Sequence, residues 1–144
     1  MEIRIRKATL NDAEYIGMNA TKEAVREIHK LGESDPVEAV KQSAIWSDVC
    51  LTMLVDGVPA MIYGLMDSML GMAKVWAIGT DDCKKVKMFM VHEGRETVSR
   101  WSDIYGELEN WCDADYAASL RWLRLIGFKV DSPEGGFCHL HTEG

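Results

Sequence analysis

The dipeptide Asp56-Gly57, set between two apolar segments, limits the fold of this chain more than any other feature of its sequence. Residues 50–55 precede it and residues 58–64 follow it, and both are rich in residues that favour β-strands. Asp-Gly favours a two-residue hairpin loop, because both central residues of such a loop need positive φ. Pro59 has no N–H group for a β-ladder, so it should lie where the second strand begins or bulges. The sequence therefore predicts an antiparallel hairpin here.

A strand and a helix are predicted at the start of the chain. Ile3 and Ile5 alternate with charged residues, which is the period of a half-buried strand. Asn11, followed three residues later by Glu14, has the pattern of a helix N-cap with its reciprocal partner. Apolar residues then recur every three or four positions up to Gly32, which is placed to end the helix. One continuous helix is therefore expected between Asn11 and Gly32.

A second helix is predicted directly before the hairpin. Asp35 is a favourable N-cap, Pro36 suits the first helical position, and Glu38 adds an acid to the first turn. This helix should run to about Ser47.

Strands and helices alternate in the second half of the predicted fold. Strands are expected at residues 73–79, 107–112, 128–131 and 137–141. The helix that follows Asp82 should carry one face made of Met88, Val91, Arg95, Val98 and Trp101. Gly94 within that helix indicates a bend or a close packing contact. A last helix is predicted from an N-cap at Asp115 to a left-handed C′ glycine at Gly127.

The predicted order of elements is β-α-α-β-β-β-α-β-α-β-β. Three antiparallel strands followed by strand-helix-strand-helix-strand indicate an α/β fold with a central mixed sheet of about seven strands and helices on both faces. The length of 144 residues suits one domain, so a single domain over residues 1–144 is expected.

Charge, cysteine spacing and hydropathy exclude several classes of protein. A net charge of −7 would repel a phosphate backbone, so nucleic-acid binding is not expected. The four cysteines form no C-x-x-C pair, which favours free thiols in a reducing compartment over a zinc knuckle or a disulfide framework. The N-terminus lacks the apolar segment of a signal peptide, and turn residues interrupt the apolar residues 58–79, so no membrane span is expected. The predicted protein is cytoplasmic, with a small molecule or a basic protein as its partner.

Residues 118–128, Ala-Ser-Leu-Arg-Trp-Leu-Arg-Leu-Ile-Gly-Phe, together with this order of elements, resemble the GNAT acetyltransferase superfamily. More narrowly, the sequence is similar to a diverged branch carried by tailed phages, which includes the internal virion protein A of short-tailed phages. That similarity lies in Val-Trp-Ala-Ile-Gly-Thr at residues 75–80, Glu-Asn-Trp-Cys-Asp-Ala at residues 109–114, and Leu-Arg-Trp-Leu at residues 120–123. The resemblance implies that the strands at residues 73–79 and 107–112 run parallel and splay apart at one end.

Acetyl-CoA is the co-substrate that the resemblance implies. Superfamily members usually cradle its pyrophosphate with an R/Q-x-x-G-x-G/A loop after the fourth strand. The loop here, residues 79–85, has one glycine and two aspartates. Lys84, Lys85 and Lys87 can supply point charges in place of that cradle, or they can be solvated and paired with nearby acids. The candidate cofactor-binding residues are Ile78, Gly79, Thr80, Lys84 and Lys85.

Two residues are candidates for catalysis by the same resemblance. Many superfamily members have a tyrosine, four residues before the Gly-Phe glycine, that protonates the departing CoA thiolate, and Leu123 occupies that position here. Tyr116 can act as a displaced acid, or it can pack its ring on the core beside Leu120. Asp113, just past the fifth strand, can deprotonate an ammonium substrate, or it can hydrogen-bond the following turn.

His139 and His141 share one face of the last predicted strand and raise the question of a metal. No acidic or cysteine partner lies at a matching spacing in the sequence, so no metal site is predicted.

Two functions follow from these expectations. The first is an acyl-CoA-dependent N-acyltransferase that transfers an acetyl group to an amine of a small molecule or a basic protein. The alternative is a catalytically inactive GNAT-fold phage protein that acts as a virion or host-interaction component, with virion proteins as partners and the host cytoplasm or the virion as its location. The sequence leaves the oligomeric state open.

Overall fold

Seven strands and five α-helices form residues 1–142, the part of the chain that the computed structural model describes. They fall into two compact units, one made of Met1–Met66 with Trp76–Lys85 and the other of Asp67–Val75 with residues 86–142. The elements before the second half are β1 (Ile3–Lys7), α1 (Leu10–Asn19), α2 (Lys22–Lys30), α3 (Pro36–Trp46), β2 (Val49–Val55), β3 (Val58–Asp67) and β4 (Met72–Gly79). A 3₁₀ helix (Asp81–Lys85) leads to α4 (Lys87–Tyr105), β5 (Glu107–Asp113), α5 (Ala117–Leu125), β6 (Lys129–Val130) and β7 (Phe137–His141).

The strands form one mixed sheet in the order β1-β2-β3-β4-β5-β7-β6. The pairs β1–β2, β2–β3, β5–β7 and β6–β7 are antiparallel, and β4–β5 is parallel. The predicted α/β class with a seven-stranded mixed sheet is confirmed.

The central hairpin forms as predicted. Asp56 and Gly57 have φ values of 51° and 81°, the positive pair that a two-residue type I′ loop requires. The register shifts beside the loop, where Leu54 pairs with Pro59 but Met53 pairs with Met61. Pro59 therefore stands at a β-bulge, where its missing N–H group costs no ladder hydrogen bond.

The single helix predicted up to Gly32 is wrong, because the chain forms two helices there. The first is capped by Thr9, not Asn11: Thr9 Oγ1 accepts from the Asp12 amide at 3.1 Å, and Asp12 Oδ2 accepts from the Thr9 amide at 2.9 Å. The helix then breaks before Thr21, whose amide donates to the Gly79 carbonyl at 3.1 Å. Thr21 also caps α2 through its hydroxyl. The apolar period continues across this break because both helices bury one face, so periodicity alone did not show it.

The second helix and the helix end at Gly127 follow the prediction. α3 begins after Asp35, whose carboxylate accepts from the amides of Val37 and Glu38. At the end of α5, Gly127 has a φ of 119°, and the Phe128 amide donates to the Leu123 carbonyl at 3.0 Å. That bond is the long closing bond of a Schellman motif, and Phe128 is buried beside it.

Packing along α4 differs from the predicted face. Thr97 and Trp101 are its buried residues, whereas Met88 is 78% exposed and does not belong to the core. Gly94 makes the predicted close contact: a Cβ atom on it would lie 2.6 Å from Ile126 Cγ2.

No helix in residues 1–142 is long and apolar enough to cross a membrane.

Candidate active site

The segment after β4 is a compact turn held by hydrogen bonds within the turn and to β3. The Thr80 amide donates to the Ala60 carbonyl at 2.8 Å, the Asp82 amide to Thr80 Oγ1 at 3.3 Å, and the Cys83 amide to the Thr80 carbonyl at 3.1 Å. The residues from Asp81 then form the 3₁₀ helix. Three amides that a pyrophosphate cradle would use are therefore occupied by oxygens of the protein itself.

Gly79 and Ile78 lie against the interior of the first unit. A Cβ atom on Gly79 would lie 2.8 Å from Cys83 Sγ, so a side chain there would require Cys83 to move. Ile78 packs against the buried cluster that contains Ile16 and Ile62. Ile78 is half-buried, so part of its side chain packs in the core.

Cys83 is an inert thiol in this arrangement. Its Sγ lies 3.2 Å from the Ala60 carbonyl oxygen, and burial raises its pKa to about 11. Because the thiolate is the nucleophilic form, a raised pKa makes Cys83 a poor nucleophile near neutral pH.

Lys84 and Lys85 are exposed and paired with acids one turn earlier. Lys84 Nζ lies 3.2 Å from Asp81 Oδ1, and Lys85 Nζ lies 3.0 Å from Asp82 Oδ1. Both lysines belong to the 3₁₀ helix. Of the three lysines in this part of the chain, only Lys87 lies in the next helix, at the first residue of α4, where no side chain caps the helix.

Asp113 ends β5 with no exposed surface. Its Oδ1 accepts from the Asp115 amide at 3.0 Å, and its carbonyl accepts from the Tyr116 amide at 3.0 Å. These are the hydrogen bonds to the following turn that the sequence left as one of two roles for Asp113. A fully buried carboxylate in such a turn is poorly placed to reach a substrate.

Tyr116 stands at the N-cap position of α5 and is partly exposed. The prediction that Asp115 caps this helix is wrong, since α5 begins one residue later, at Ala117, and has no side-chain cap. The Asp113 carboxylate accepts a hydrogen bond from the Asp115 amide. Asp115 therefore belongs to the turn before α5 and does not cap the helix. Leu123, on the same helix, offers no proton to a leaving group.

The parallel pairing of β4 and β5 is short. Within residues 1–142 it covers three residue pairs, from Met72 with Glu107 to Lys74 with Glu109. The next carbonyl of β4, that of Val75, accepts instead from Asn110 Nδ2 at 2.6 Å. The parallel direction is thus confirmed, and a side-chain amide takes over where the backbone ladder ends.

The structure places the predicted cofactor residues in the first unit and the predicted catalytic residues in the second. Asp113 and Tyr116 are joined through the turn before α5. Ile78, Gly79, Thr80, Lys84 and Lys85 form one continuous segment of the other unit.

One side-chain cluster was missed by the sequence analysis. His139 Nε2 lies 3.2 Å from Glu109 Oε1, and His141 Nε2 lies 3.0 Å from Asp131 Oδ1. The hydrogen bond from His141 lowers the pKa of Asp131. The acidic partners come from neighbouring strands, so spacing along the sequence did not reveal them; the register of β5 and β6 against β7 brings them together.

Solved structures with this fold include several acetyltransferases. PaiA N-acetyltransferase from Thermoplasma acidophilum, in complex with coenzyme A, is 13% identical, with 100% of each chain covered and a TM-score of 0.67. An acetyltransferase of the GNAT family from Streptococcus pneumoniae is 13% identical, with 98% of each chain covered and a TM-score of 0.64. YncA from Salmonella typhimurium, a putative acetyltransferase with its cofactor acetyl-CoA, is 14% identical over 98% of this chain and 93% of that one, with a TM-score of 0.62.

Neither models of known protein families nor curated proteins match this sequence. The tailed-phage branch has no support among the comparisons. The matches to solved structures nevertheless cover almost the whole chain. The chain therefore has the fold of the GNAT acetyltransferases.

Proposed function

We propose that the protein is an acyl-CoA-dependent N-acyltransferase that transfers an acetyl group to an amine. The observation that supports this most directly is the end of the β4–β5 ladder after three residue pairs, within a GNAT fold. In the superfamily that the sequence resembles, these two strands splay to admit the pantetheine arm of the co-substrate. The structural neighbours PaiA and YncA carry coenzyme A and acetyl-CoA, respectively.

Side-chain charges, and not a backbone cradle, would bind the pyrophosphate. The amides of Thr80, Asp82 and Cys83 are already occupied. The ion pairs of Lys84 and Lys85 are exposed, and such pairs contribute only about 0–1 kcal/mol, so both lysines can exchange a carboxylate for a phosphate at little cost. Binding through exposed charges of this kind should weaken strongly as salt concentration rises.

The reaction needs no covalent enzyme intermediate. The neutral amine attacks the thioester carbonyl, the C–S bond breaks, and coenzyme A leaves as a thiolate that takes up one proton. Tyr116 is the proposed donor of that proton, because it is partly exposed and Leu123 has none to give. The proton lost by the amine passes to water. Asp113 would act on that amine only through water, and its burial favours the role of organising the turn before Tyr116.

A second candidate is a GNAT-fold protein without acyltransferase chemistry, such as a virion or host-interaction component. Two observations favour it. Leu123 replaces the usual acid, and Lys84 and Lys85 are both paired with aspartates of the same turn. Under this alternative the lysines are ordinary surface residues, and coenzyme A does not bind.

Isothermal titration with acetyl-CoA separates the two candidates. The wild-type protein should bind with a stoichiometry of one, and Lys84→Ala/Lys85→Ala should weaken binding about tenfold or more, which is the scale of charge-assisted contacts. Lys7→Ala/Lys22→Ala is the matched control, since it removes the same charge from two exposed positions of β1 and α2. Equal affinity in the two double variants would show that Lys84 and Lys85 do not bind the co-substrate.

A further inference from the structure

Three strands of the second unit bring two imidazoles and two carboxylates to one place. His139 and His141 lie on the same face of β7, which runs between β5 and β6. Glu109 of β5 is the registered partner of His141, and the amide of Asp131, one residue past the end of β6, donates to the His139 carbonyl at 2.9 Å. The rings of His139 and His141 are stacked with centroids 5.2 Å apart.

Nitrogen and oxygen atoms of three side chains in this cluster lie close together. One ligand atom each from Asp131, His139 and His141 lie within 4.8 Å of one another. His139 Nδ1 is 3.6 Å from Asp131 Oδ2, which is too long for a hydrogen bond. Two ligands at zinc-type bond lengths in tetrahedral geometry are roughly 3.3 Å apart. The gap is therefore close to what two atoms bound to the same ion require.

Glu109 fixes the state of His139 that a metal needs. An ionised carboxylate can only accept, so His139 Nε2, 3.2 Å from Glu109 Oε1, carries the proton and donates it. In the tautomer with its proton on Nε2, the lone pair is on Nδ1, the atom that faces Asp131. A carboxylate behind a histidine ligand in this manner is the usual support of a zinc-binding imidazole.

We propose that Asp131, His139 and His141 form a binding site for a divalent transition-metal ion of the zinc class, with Glu109 as the positioning residue behind His139. Imidazole nitrogens and one carboxylate suit Zn²⁺, whereas Mg²⁺ and Ca²⁺ prefer sites made of oxygen atoms. Three protein ligands leave a fourth position for water. The ion would join the end of β6 to β7, and its binding would stabilise the second unit by linkage. This site is independent of the proposed acyltransferase activity.

Titration of the metal-free protein with Zn²⁺, followed by calorimetry near pH 7.5, tests the site. One ion should bind per chain. Glu109→Gln should weaken binding about 10–100-fold, the usual effect of losing a supporting carboxylate, and His141→Ala should weaken it further. Asp131→Asn is nearly isosteric at an exposed position, so it tests the carboxylate without risk to folding. His92→Ala, an exposed histidine of α4, is the control and should bind Zn²⁺ as the wild type does.

The pH dependence gives a second readout. The ion replaces protons on its ligands, including the one that His141 Nε2 shares with Asp131, so affinity should fall as pH is lowered. Zn²⁺ should also raise the midpoint of thermal unfolding in the wild type and in His92→Ala but not in Asp131→Asn. Absence of binding in the wild type would overturn the proposal. So would an affinity equal to that of the wild type in both Asp131→Asn and His141→Ala.

Discussion

Tyr116 is the residue on which the proposed chemistry depends most. Tyr116→Phe should lower kcat about 100-fold or more, because a general acid typically contributes that much or more to catalysis. The KM for acetyl-CoA and the midpoint of thermal unfolding should hardly change, since only a hydroxyl group is lost. The measurement is steady-state release of coenzyme A with both proteins. An unchanged kcat would place Tyr116 in the packing role that the sequence left open.

Asp12 illustrates how a buried charge holds one end of a helix in the first unit. Arg6 donates two hydrogen bonds to its carboxylate, at 2.6 and 3.0 Å, and Thr52 Oγ1 lies 2.9 Å from it. Burial raises the pKa of Asp12, but the hydrogen bonds from Arg6, Thr9 and Thr52 outweigh it, so the pKa lies below its ordinary value of 3.8. The ionised carboxylate therefore stabilises the folded state.

We expect Asp12→Asn to reduce the free energy of unfolding by about 1.5–3 kcal/mol near neutral pH, the scale of hydrogen bonds to a charged group. A lowered folded-state pKa contributes stability above the unfolded value, and this contribution disappears as pH falls through the folded value. The difference from wild type should therefore shrink below about pH 4. Urea unfolding at several pH values measures it, with Glu14→Gln as an exposed control on the same helix. A difference that stayed constant down to pH 3 would contradict the charged role of Asp12.

At the scale of elements, we expect packing around Gly94 to outweigh the intrinsic helix propensity of alanine. Alanine in place of glycine usually stabilises a helix by about 1 kcal/mol. Here the added Cβ would lie 2.6 Å from Ile126 Cγ2, so the contact between α4 and Ile126 would have to open. Gly94→Ala should therefore lower the free energy of unfolding by about 1–3 kcal/mol. A rise in the urea midpoint would show that this contact adjusts without cost.

Several elements could be predicted from the sequence because their signals are local. The Asp56-Gly57 turn and the Gly127 helix end each depend on positive φ values within a few residues. The break before Thr21 could not be inferred from periodicity, since its cause includes a hydrogen bond to the distant Gly79 carbonyl. A threonine cap was the one local signal available there.

Candidate site residues were harder to predict where their contacts join residues that are distant in the sequence. The pairing of Lys84 and Lys85 with Asp81 and Asp82 follows from helical spacing and was among the alternatives read from the sequence. The cluster around His139 depends on strand register over three strands, which the sequence pattern did not specify.

At the scale of the whole molecule, the order of strands and helices is enough to identify the GNAT fold, whereas identity of 13–14% to solved acetyltransferases says nothing further about chemistry. One domain over residues 1–144 remains a proposal beside the two compact units of the structure. The proposed activity relies on residues in the segment after β4 and on Tyr116 before α5, and both places depart from the usual residues of the superfamily.

Release of free coenzyme A from acetyl-CoA, measured across a panel of small amines and basic peptides, tests the central claim most directly. We expect release above the no-acceptor background with at least one amine, and a loss of that release at low acetyl-CoA concentration in Lys84→Ala/Lys85→Ala. A departing thiolate with a pKa near 8.5 is already stable near neutral pH, so the absence of a tyrosine at Leu123 should slow the reaction without abolishing it. No release with any acceptor, together with no binding of acetyl-CoA at millimolar concentration, would contradict the acyltransferase account.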